Sequence, residues 1–125
     1  MKQKLAILLW SATPDRAALC ATPFVHATAA AALDCEVEIH FAGPTVRLLV
    51  QGVAGRLCPW PGSELSILSM MRQAANLDVK FLACGMAMNA LVQPGETLIT
   101  EYTGTAAASA FVARTLDPEW ATLVY

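Results

Sequence analysis

Residues 79–91, VKFLACGMAMNAL, change from one hydrophobic period to another at a single cysteine. Residues 79–83 are a short apolar run with β-branched and aromatic side chains, which predicts a buried strand. Residues 85–92 have the spacing of a helix, so Cys84 stands at the junction. In a parallel α/β sheet, the carboxyl end of a strand is where the ligand crevice opens. The segment therefore predicts an α/β fold with Cys84 at its functional edge.

The same alternation of strand patterns and helical patterns runs along the whole chain. We predict strands at 4–10, 36–42 and 79–83, a fourth strand or strand-like loop at 97–102, and a last strand at 121–125. Helical patterns lie at 16–33, 45–50, 64–76 and 85–92, and in an Ala-rich segment that ends near Leu116. Such alternation is typical of βαβ units, so we expect one α/β domain, residues 1–125, with a mainly parallel sheet of about five strands. Periodicity leaves the strand order open.

Capping residues predict where the helices begin. Thr13 is a candidate cap for the first helix, with Pro14 at its first position. Pro23 interrupts that helix, so either the helix kinks there or Thr22 caps a second one. Ser63 is the predicted cap of the helix at 64–76, and Thr45 a candidate cap of the short helix at 45–50. The apolar stripe predicted for the helix at 64–76 consists of Leu65, Leu68, Met71 and Ala75.

The composition bears on assembly and on partners. Apolar residues make up 56% of the 125 residues and charged residues only 14%, against about 25% charged in typical domains. So little polar surface predicts a homo-oligomer or a subunit of a larger complex. The net charge of −2 and the absence of a basic run argue against nucleic-acid binding. No apolar stretch reaches the roughly 18–20 residues that span a bilayer.

The first twelve residues, MKQKLAILLWSA, resemble a signal peptide in their charged start and short apolar core. We interpret them instead as the first buried strand of the sheet. Four cysteines without regular spacing do not form a disulfide framework in a chain of this size. These features favour a reduced cytoplasmic location.

Common cofactor and metal motifs are missing from the sequence. It contains no G-x-G-x-x-G, no G-x-x-x-x-G-K, no C-x-x-C and no G-x-S-x-G. Cys20, His26, Cys35 and His40 lack the tight spacing of zinc ligands, and we interpret both histidines as structural. We therefore predict no cofactor and no metal site.

Cys84 remains as the candidate catalytic residue. A helix N-terminus at this cysteine would direct backbone N–H groups at the sulfur and favour a thiolate. A thiolate can attack sulfane sulfur, hold it as a persulfide and pass it to another thiolate by displacement. Met86, Met88 and Trp60 are candidate apolar walls of the site, although packing in the core is the commoner role of methionine. The alternative for Cys84 is a buried, inert cysteine at a strand end.

The loop at 51–62, QGVAGRLCPWPG, is the second candidate functional segment. Its length is near the limit of ordinary connections, which favours a lid or a subunit contact. It carries Cys58, a candidate second thiol whose alternative is an incidental loop cysteine.

Taken together, these segments make the chain similar to the DsrE/DsrF-like sulfur-relay family, and to its DsrE2-like branch in particular. The resemblance lies in the opening apolar strand followed by Ser11, in the stretch AAAALDCEVEIHFAG, and in FLACGMAMNAL, which is similar to the family's A-C-x-M-S-M segment. It implies a three-layer α/β/α sandwich related to flavodoxin-like folds, and assembly into trimers or hexamers of identical or related subunits. It also implies Cys84 as a persulfide carrier and a small sulfur-carrier protein as partner.

The chain departs from the family pattern at a few positions. Ala87 stands where many relatives have serine, Asp34 where glycine is common, and Asn89 where longer relatives have an acidic residue. Residues 91–92 replace a Gly-Ile pair. The missing hydroxyl at position 87 leaves the stabilisation of a thiolate to backbone N–H groups. The sulfur donor and acceptor are therefore not transferred from the resemblance.

Three functions stay open at this point. The first is a sulfur carrier that uses Cys84, with Gly85, Met86, Ser11, Cys58 and Trp60 as candidate binding residues. The second is a non-enzymatic scaffold or small-ligand binder in which Cys84 is unreactive. The third is a redox sensor in which Cys84 oxidises to a sulfenic acid or pairs with Cys58.

Overall fold

Five apolar runs along the chain form one parallel sheet in the computed structural model, which describes residues 3–125. The strands are β1 Lys4–Leu9, β2 Glu36–Phe41, β3 Lys80–Ala83, β4 Tyr102–Thr105 and β5 Trp120–Val124. Their order is β4-β3-β2-β1-β5, with every neighbouring pair parallel. The predicted parallel sheet of five strands is confirmed. Met1 and Lys2, the charged start of the signal-like segment, lie outside the described residues.

Helices cover both faces of this sheet. They are α1 Ala17–Ala32, α2 Ile67–Asn76, α3 Gly85–Leu91 and α4 Ala108–Leu116, with short 3-10 segments at Pro14–Arg16, Gly43–Leu49 and Ala54–Arg56. The helices α1, α2 and α3 contribute to one apolar core with the odd-numbered side chains of β2. Helix α4 contacts β5 and β1 and lies on the opposite face, against the even-numbered side chains of β2. The three-layer α/β/α architecture is thus confirmed.

Three phenylalanines form the centre of the larger core. The ring of Phe24 on α1 lies 6.1 Å from that of Phe41 and 6.0 Å from that of Phe81, and the latter two rings are 5.5 Å apart. All three are fully buried. Helix α1 runs without interruption through Pro23, so the alternative of a separate second helix is wrong. Within residues 3–125, no helix has both the length and the apolar character that a bilayer crossing requires.

Two helices end at aspartates in the left-handed region. Asp34 follows α1 with φ of 67°, and Asp78 follows α2 with φ of 66°. At the end of α1 the N–H of Cys35 donates to the carbonyl of Ala30, and the N–H of Asp34 donates to the carbonyl of Ala31. This is the Schellman arrangement, in which glycine is the usual residue. Glycine adopts this left-handed φ without strain, whereas the Cβ of Asp34 makes it less favourable.

Helix α2 begins later than predicted. Its cap is Ser66, whose hydroxyl accepts a hydrogen bond from the N–H of Ser69, rather than Ser63. The hydroxyl of Ser63 instead bonds within its own turn, to Leu65. Leu65 therefore lies before the helix and is 42% exposed, so its place in the predicted apolar stripe is wrong. The buried residues of α2 are Ile67, Met70, Met71 and Ala74.

The fourth strand and two caps also differ from the prediction. Residues 97–102 are mainly loop, with one isolated bridge between Val50 and Leu98, and β4 starts only at Tyr102. Thr45 lies inside a 3-10 segment, and its buried hydroxyl donates to the carbonyls of Leu9 and Ala42 instead of capping a helix. The Thr13 hydroxyl bonds to Asp15 and makes no capping bond.

Candidate functional site

Cys84 directly follows β3 and is the N-cap residue of α3, as the sequence predicts. Its N–H donates to the carbonyl of Phe41 at 3.1 Å, and its carbonyl accepts from the N–H of Met88 at 3.0 Å. These two bonds hold the backbone of Cys84 between β2 and α3. The side chain is partly exposed. The sulfur accepts no capping hydrogen bond from the N–H groups of α3. The prediction that these N–H groups bond to the sulfur is therefore wrong.

After the neighbouring strands β3 and β4, the chain continues into helices on opposite faces of the sheet. From β3 it enters α3, whose Ala87 belongs to the same core as Phe24. From β4 it enters α4 on the other face, after Ala106 has bonded back to the carbonyl of Ala83 at 2.9 Å. Where such exits diverge, an open α/β sheet forms its ligand crevice. Cys84 therefore lies beside the place where this fold type binds ligands.

The other predicted residues of this edge have different environments. Gly85 is the first residue of α3. Met86 follows it and is 78% exposed, while Met88 packs against the core. Ser11 follows β1, where its N–H donates to the carbonyl of Tyr125. It is on the same sheet edge as Cys84 but two strands away, which corresponds to roughly 10 Å.

The loop at 51–62 is anchored on α2. Its Ala54–Arg56 segment packs on that helix, and the carbonyl of Leu57 accepts from the N–H of Ile67 at 2.8 Å. Cys58 is exposed, and Trp60 is 56% exposed. A contribution of these two side chains to the site of Cys84 stays a prediction.

The remaining cysteines differ from Cys84 in burial and position. Cys20 is fully buried in the core, and its thiol donates to the carbonyls of Thr13 and Arg16. Burial and the negative charge of Asp15 raise the pKa of the Cys20 thiol to about 11. Cys35 lies just before β2, at the amino edge of the sheet. All four cysteines are free, and residues 3–125 contain no cluster of three His, Cys, Asp or Glu that could hold a metal ion.

A buried charged cluster on the α4 face was missed by the sequence analysis. Glu38 and His40 are only 5% and 6% exposed. One carboxylate oxygen of Glu38 lies 2.9 Å from His40 Nε2 and accepts a bond from Arg114 Nε at 2.8 Å. The Arg114 guanidinium lies over the ring of Trp120, 4.0 Å from its centroid. The ring of Phe111 meets His40 edge-on at 5.3 Å.

His40 and Arg114 stabilise the ionised form of Glu38. Burial raises the pKa of this carboxyl, but the hydrogen bonds and charges of His40 and Arg114 outweigh burial and bring the pKa down to about 2. The strand EVEIHF carried a signal for half of this cluster, because alternation puts Glu38 and His40 on one face. No local sequence pattern around Arg114 indicated that it belongs to this cluster.

Eight solved protein chains are similar to this one, among them two that span 99–100% of its length. The crystal structure of ychN protein from E. coli superposes with a TM-score of 0.71 at 14% identity and covers 100% of both chains. A protein of unknown function, MTH1491 from Methanobacterium thermoautotrophicum, has a TM-score of 0.68 at 15% identity and covers 99% of this chain and 100% of its own. No protein-family model and no curated protein matches the sequence. The similarity shows the fold, which is YchN/DsrE-like.

Proposed function

We propose that this protein, with its YchN/DsrE-like fold, is a sulfur carrier that holds sulfane sulfur as a persulfide on Cys84 and passes it to a partner thiol. The observation that carries this proposal is the position of Cys84. It is a partly exposed cysteine at the carboxyl edge of the sheet, beside the crevice between the exits of β3 and β4. The chemistry needs a thiolate that a donor can approach, and no cofactor.

The proposed reaction has two displacement steps. With thiosulfate as donor, the Cys84 thiolate attacks the outer sulfur, the S–S bond of thiosulfate breaks, and sulfite leaves with the bonding electron pair. The product is the Cys84 persulfide anion. In the second step an acceptor thiolate attacks the outer persulfide sulfur, the new S–S bond breaks, and the Cys84 thiolate is regenerated. Both steps conserve charge, and neither needs an external oxidant or reductant.

Among the four cysteines, Cys84 fits this reaction best. Cys20 is fully buried, and its raised pKa keeps it a protonated thiol. Cys35 lies at the amino edge of the sheet, away from the crevice, and Cys58 is on an exposed loop that packs on α2. A redox partnership of Cys84 with Cys58 would compete with sulfur transfer and is an outcome of the test below.

The surface around the site supports association with other chains. Met86 is 78% exposed directly beside Cys84, which provides a polarizable apolar contact for a protein that delivers or accepts sulfur. Further large apolar side chains are exposed on α4 and β5, namely Val112, Leu116, Leu123 and Val124. We infer a homo-oligomer or an assembly with related subunits, and a small sulfur-carrier protein as a cytoplasmic partner.

Intact-protein mass spectrometry after exposure to thiosulfate or polysulfide tests the proposal. We expect a gain of one sulfur atom that maps to the Cys84 peptide, is lost with reductant, and is absent in Cys84→Ala. Cys35→Ala is the matched control, because Cys35 lies at the opposite edge of the sheet, and it should still load sulfur. An unmodified Cys84 in folded protein, under conditions that load a known carrier, would favour a scaffold or ligand-binding role. A disulfide between Cys84 and Cys58 under peroxide would favour a redox sensor.

A further inference from the structure

Strand β5 is the last strand of the sheet order, and its outer side has no partner in the described part of the chain. The N–H of Tyr125 donates to the carbonyl of Leu8, and its carbonyl accepts from the N–H of Trp10. Both backbone groups of Tyr125 therefore point to β1. Because this direction alternates along a strand, the N–H and carbonyl groups of Thr122 and Val124 point outward. The edge thus presents two donors and two acceptors that nothing in the described chain pairs.

This edge lacks the features that usually protect a free strand. Soluble proteins place lysine, proline or a bulge at such an edge, or cover it with another segment. Residues 120–124, WATLV, contain no charged residue and no proline, and their pairing with β1 keeps one register throughout. Ala121, Leu123 and Val124 are exposed beside the free edge. An apolar edge of this kind is a template on which another strand pairs.

The apolar surface continues from β5 onto helix α1. The ring of His26 on α1 contacts Tyr125, which places this side of the helix beside the end of β5. Leu19 and Leu33 lie seven residues before and after His26, so they belong to the same stripe of the helix. Both leucines are exposed. Leu123 is two residues from Tyr125 and points to the same face of the sheet, so it extends this patch along the edge.

Two copies of β5 complement each other in an antiparallel pair around a two-fold axis. When the axis passes between the Leu123 residues of the two copies, Thr122 of each copy faces Val124 of the other. Residues that face each other with their backbone groups directed at the partner exchange both hydrogen bonds. This register therefore pairs all the outward groups of both edges at once. The two Leu123 side chains meet at the centre, where apolar surface faces apolar surface.

We propose that the outer edge of β5 is a two-fold interface between two copies of this protein, which joins their sheets into one continuous sheet. A stable interface buries roughly 800 Å² on each partner, and the accessible surface of one chain is 6856 Å². A strand edge of about 17 Å is too short to supply this area alone, so the stripe of Leu19 and Leu33 takes part. The inference rests on the homo-oligomer of the proposed function, for which it names the surface, and it does not depend on the sulfur chemistry.

Leu123→Lys tests the interface through the molecular mass, measured by light scattering. The change places two ammonium groups opposite each other at the axis, and lysine is a natural protection of a free edge. We expect an even multiple of 13.3 kDa for wild type and half of that mass for Leu123→Lys, with association weakened at least about tenfold. Leu77→Lys is the matched control, because Leu77 is 45% exposed against 41% for Leu123 and lies at the end of α2. It should keep the wild-type mass. A monomeric wild type, or a Leu123→Lys variant with the wild-type mass, would overturn the proposal.

Hydrogen exchange of single amides, followed by NMR, reports on the pairing itself. The N–H groups of Thr122 and Val124 are bonded only in the dimer, so in wild type we expect them to exchange at least about tenfold more slowly than in Leu123→Lys. The N–H at position 123 bonds to β1 in both proteins and is the internal control. Equal exchange rates of Thr122 and Val124 in the two proteins would contradict the interface.

Leu123→Cys gives a readout that does not depend on the folding of the lysine variant. Facing residues at the axis have Cα atoms about 4.5 Å apart, which is within the range of a disulfide. In a background of Cys58→Ala and Cys84→Ala, mild oxidation should link two copies at position 123, as mapped by peptide mass. Val124→Cys in the same background is the matched control, because the two positions 124 are then about 8 Å apart, beyond the reach of a disulfide. The proposal fails if no link forms at position 123.

Sulfur loading from thiosulfate separates this inference from the proposed sulfur carrier. Strand β5 is three strands away from β3, so Leu123→Lys should load sulfur on Cys84 as wild type does. A dimer through β5 that takes up no sulfur would support the interface and refute the carrier. Sulfur loading by a monomeric wild-type protein would support the carrier and refute the interface.

Discussion

Replacing Glu38 by glutamine should remove an acid-sensitive part of the folding free energy. Burial raises the pKa of Glu38, but its bonds to His40 and Arg114 outweigh this and lower the pKa from 4.5 to about 2. A carboxyl whose pKa is lower in the folded state stabilises the fold above its unfolded pKa. That stabilisation is lost as the pH falls from about 4.5 through about 2. The difference corresponds to about 3 kcal/mol at neutral pH.

Urea unfolding followed by circular dichroism between neutral pH and acid measures this contribution. At neutral pH we expect Glu38→Gln to unfold with about 3 kcal/mol less free energy than wild type. Below about pH 4.5 the wild-type protein loses stability faster, and near pH 2 the two proteins should converge. Glu64→Gln is the matched control, because Glu64 is exposed and its replacement should leave the wild-type curve unchanged.

Two results would contradict a stabilising charge at Glu38. Equal stability of wild type and Glu38→Gln at neutral pH would show that the two hydrogen bonds do no more than offset the burial of the carboxylate. A difference that stays constant down to pH 2 would show that the glutamine disturbs packing and that the charge of Glu38 contributes nothing.

Other parts of the fold yield further predictions. Ser66→Ala should lower the free energy of unfolding by about 1 kcal/mol, because the N–H of Ser69 loses its cap, and Phe24→Ala should lower it by about 3–5 kcal/mol through a core cavity, both measured in urea. Asp34→Gly should raise it by about 0.5 kcal/mol, because relief of the left-handed strain exceeds the added freedom of the unfolded chain. In native protein at neutral pH, Cys20 should react with iodoacetamide far more slowly than exposed Cys58, and equal rates by peptide mapping would contradict its burial and raised pKa.

The local hydrophobic pattern was enough to predict most helices and strands and the position of Cys84. It failed where two neighbouring segments carry the same signal. Ser63 and Ser66 both precede the same apolar run, and in the folded chain the N–H of Ile67 bonds to the carbonyl of Leu57 in the loop, which leaves Ser66 as the cap. Residues 97–102 have strand composition, yet β4 forms at Tyr102–Thr105, where the chain can pair with β3. At these positions the available hydrogen-bonding partner decides the structure, and not the intrinsic propensity of the residues.

Periodicity over a few neighbouring residues is enough to predict the α/β class, the parallel strands and the place of Cys84 at the end of β3. It also placed Glu38 and His40 on one face of β2, since the period of a strand is two. The return of α4 across the sheet, by which Arg114 reaches Glu38 from 76 residues away, depends instead on the complete fold. The register between β2 and β3 likewise sets Cys84 against the end of β2, where the carbonyl of Phe41 accepts its N–H. Both juxtapositions depend on strand order and on long-range burial, which no local pattern encodes.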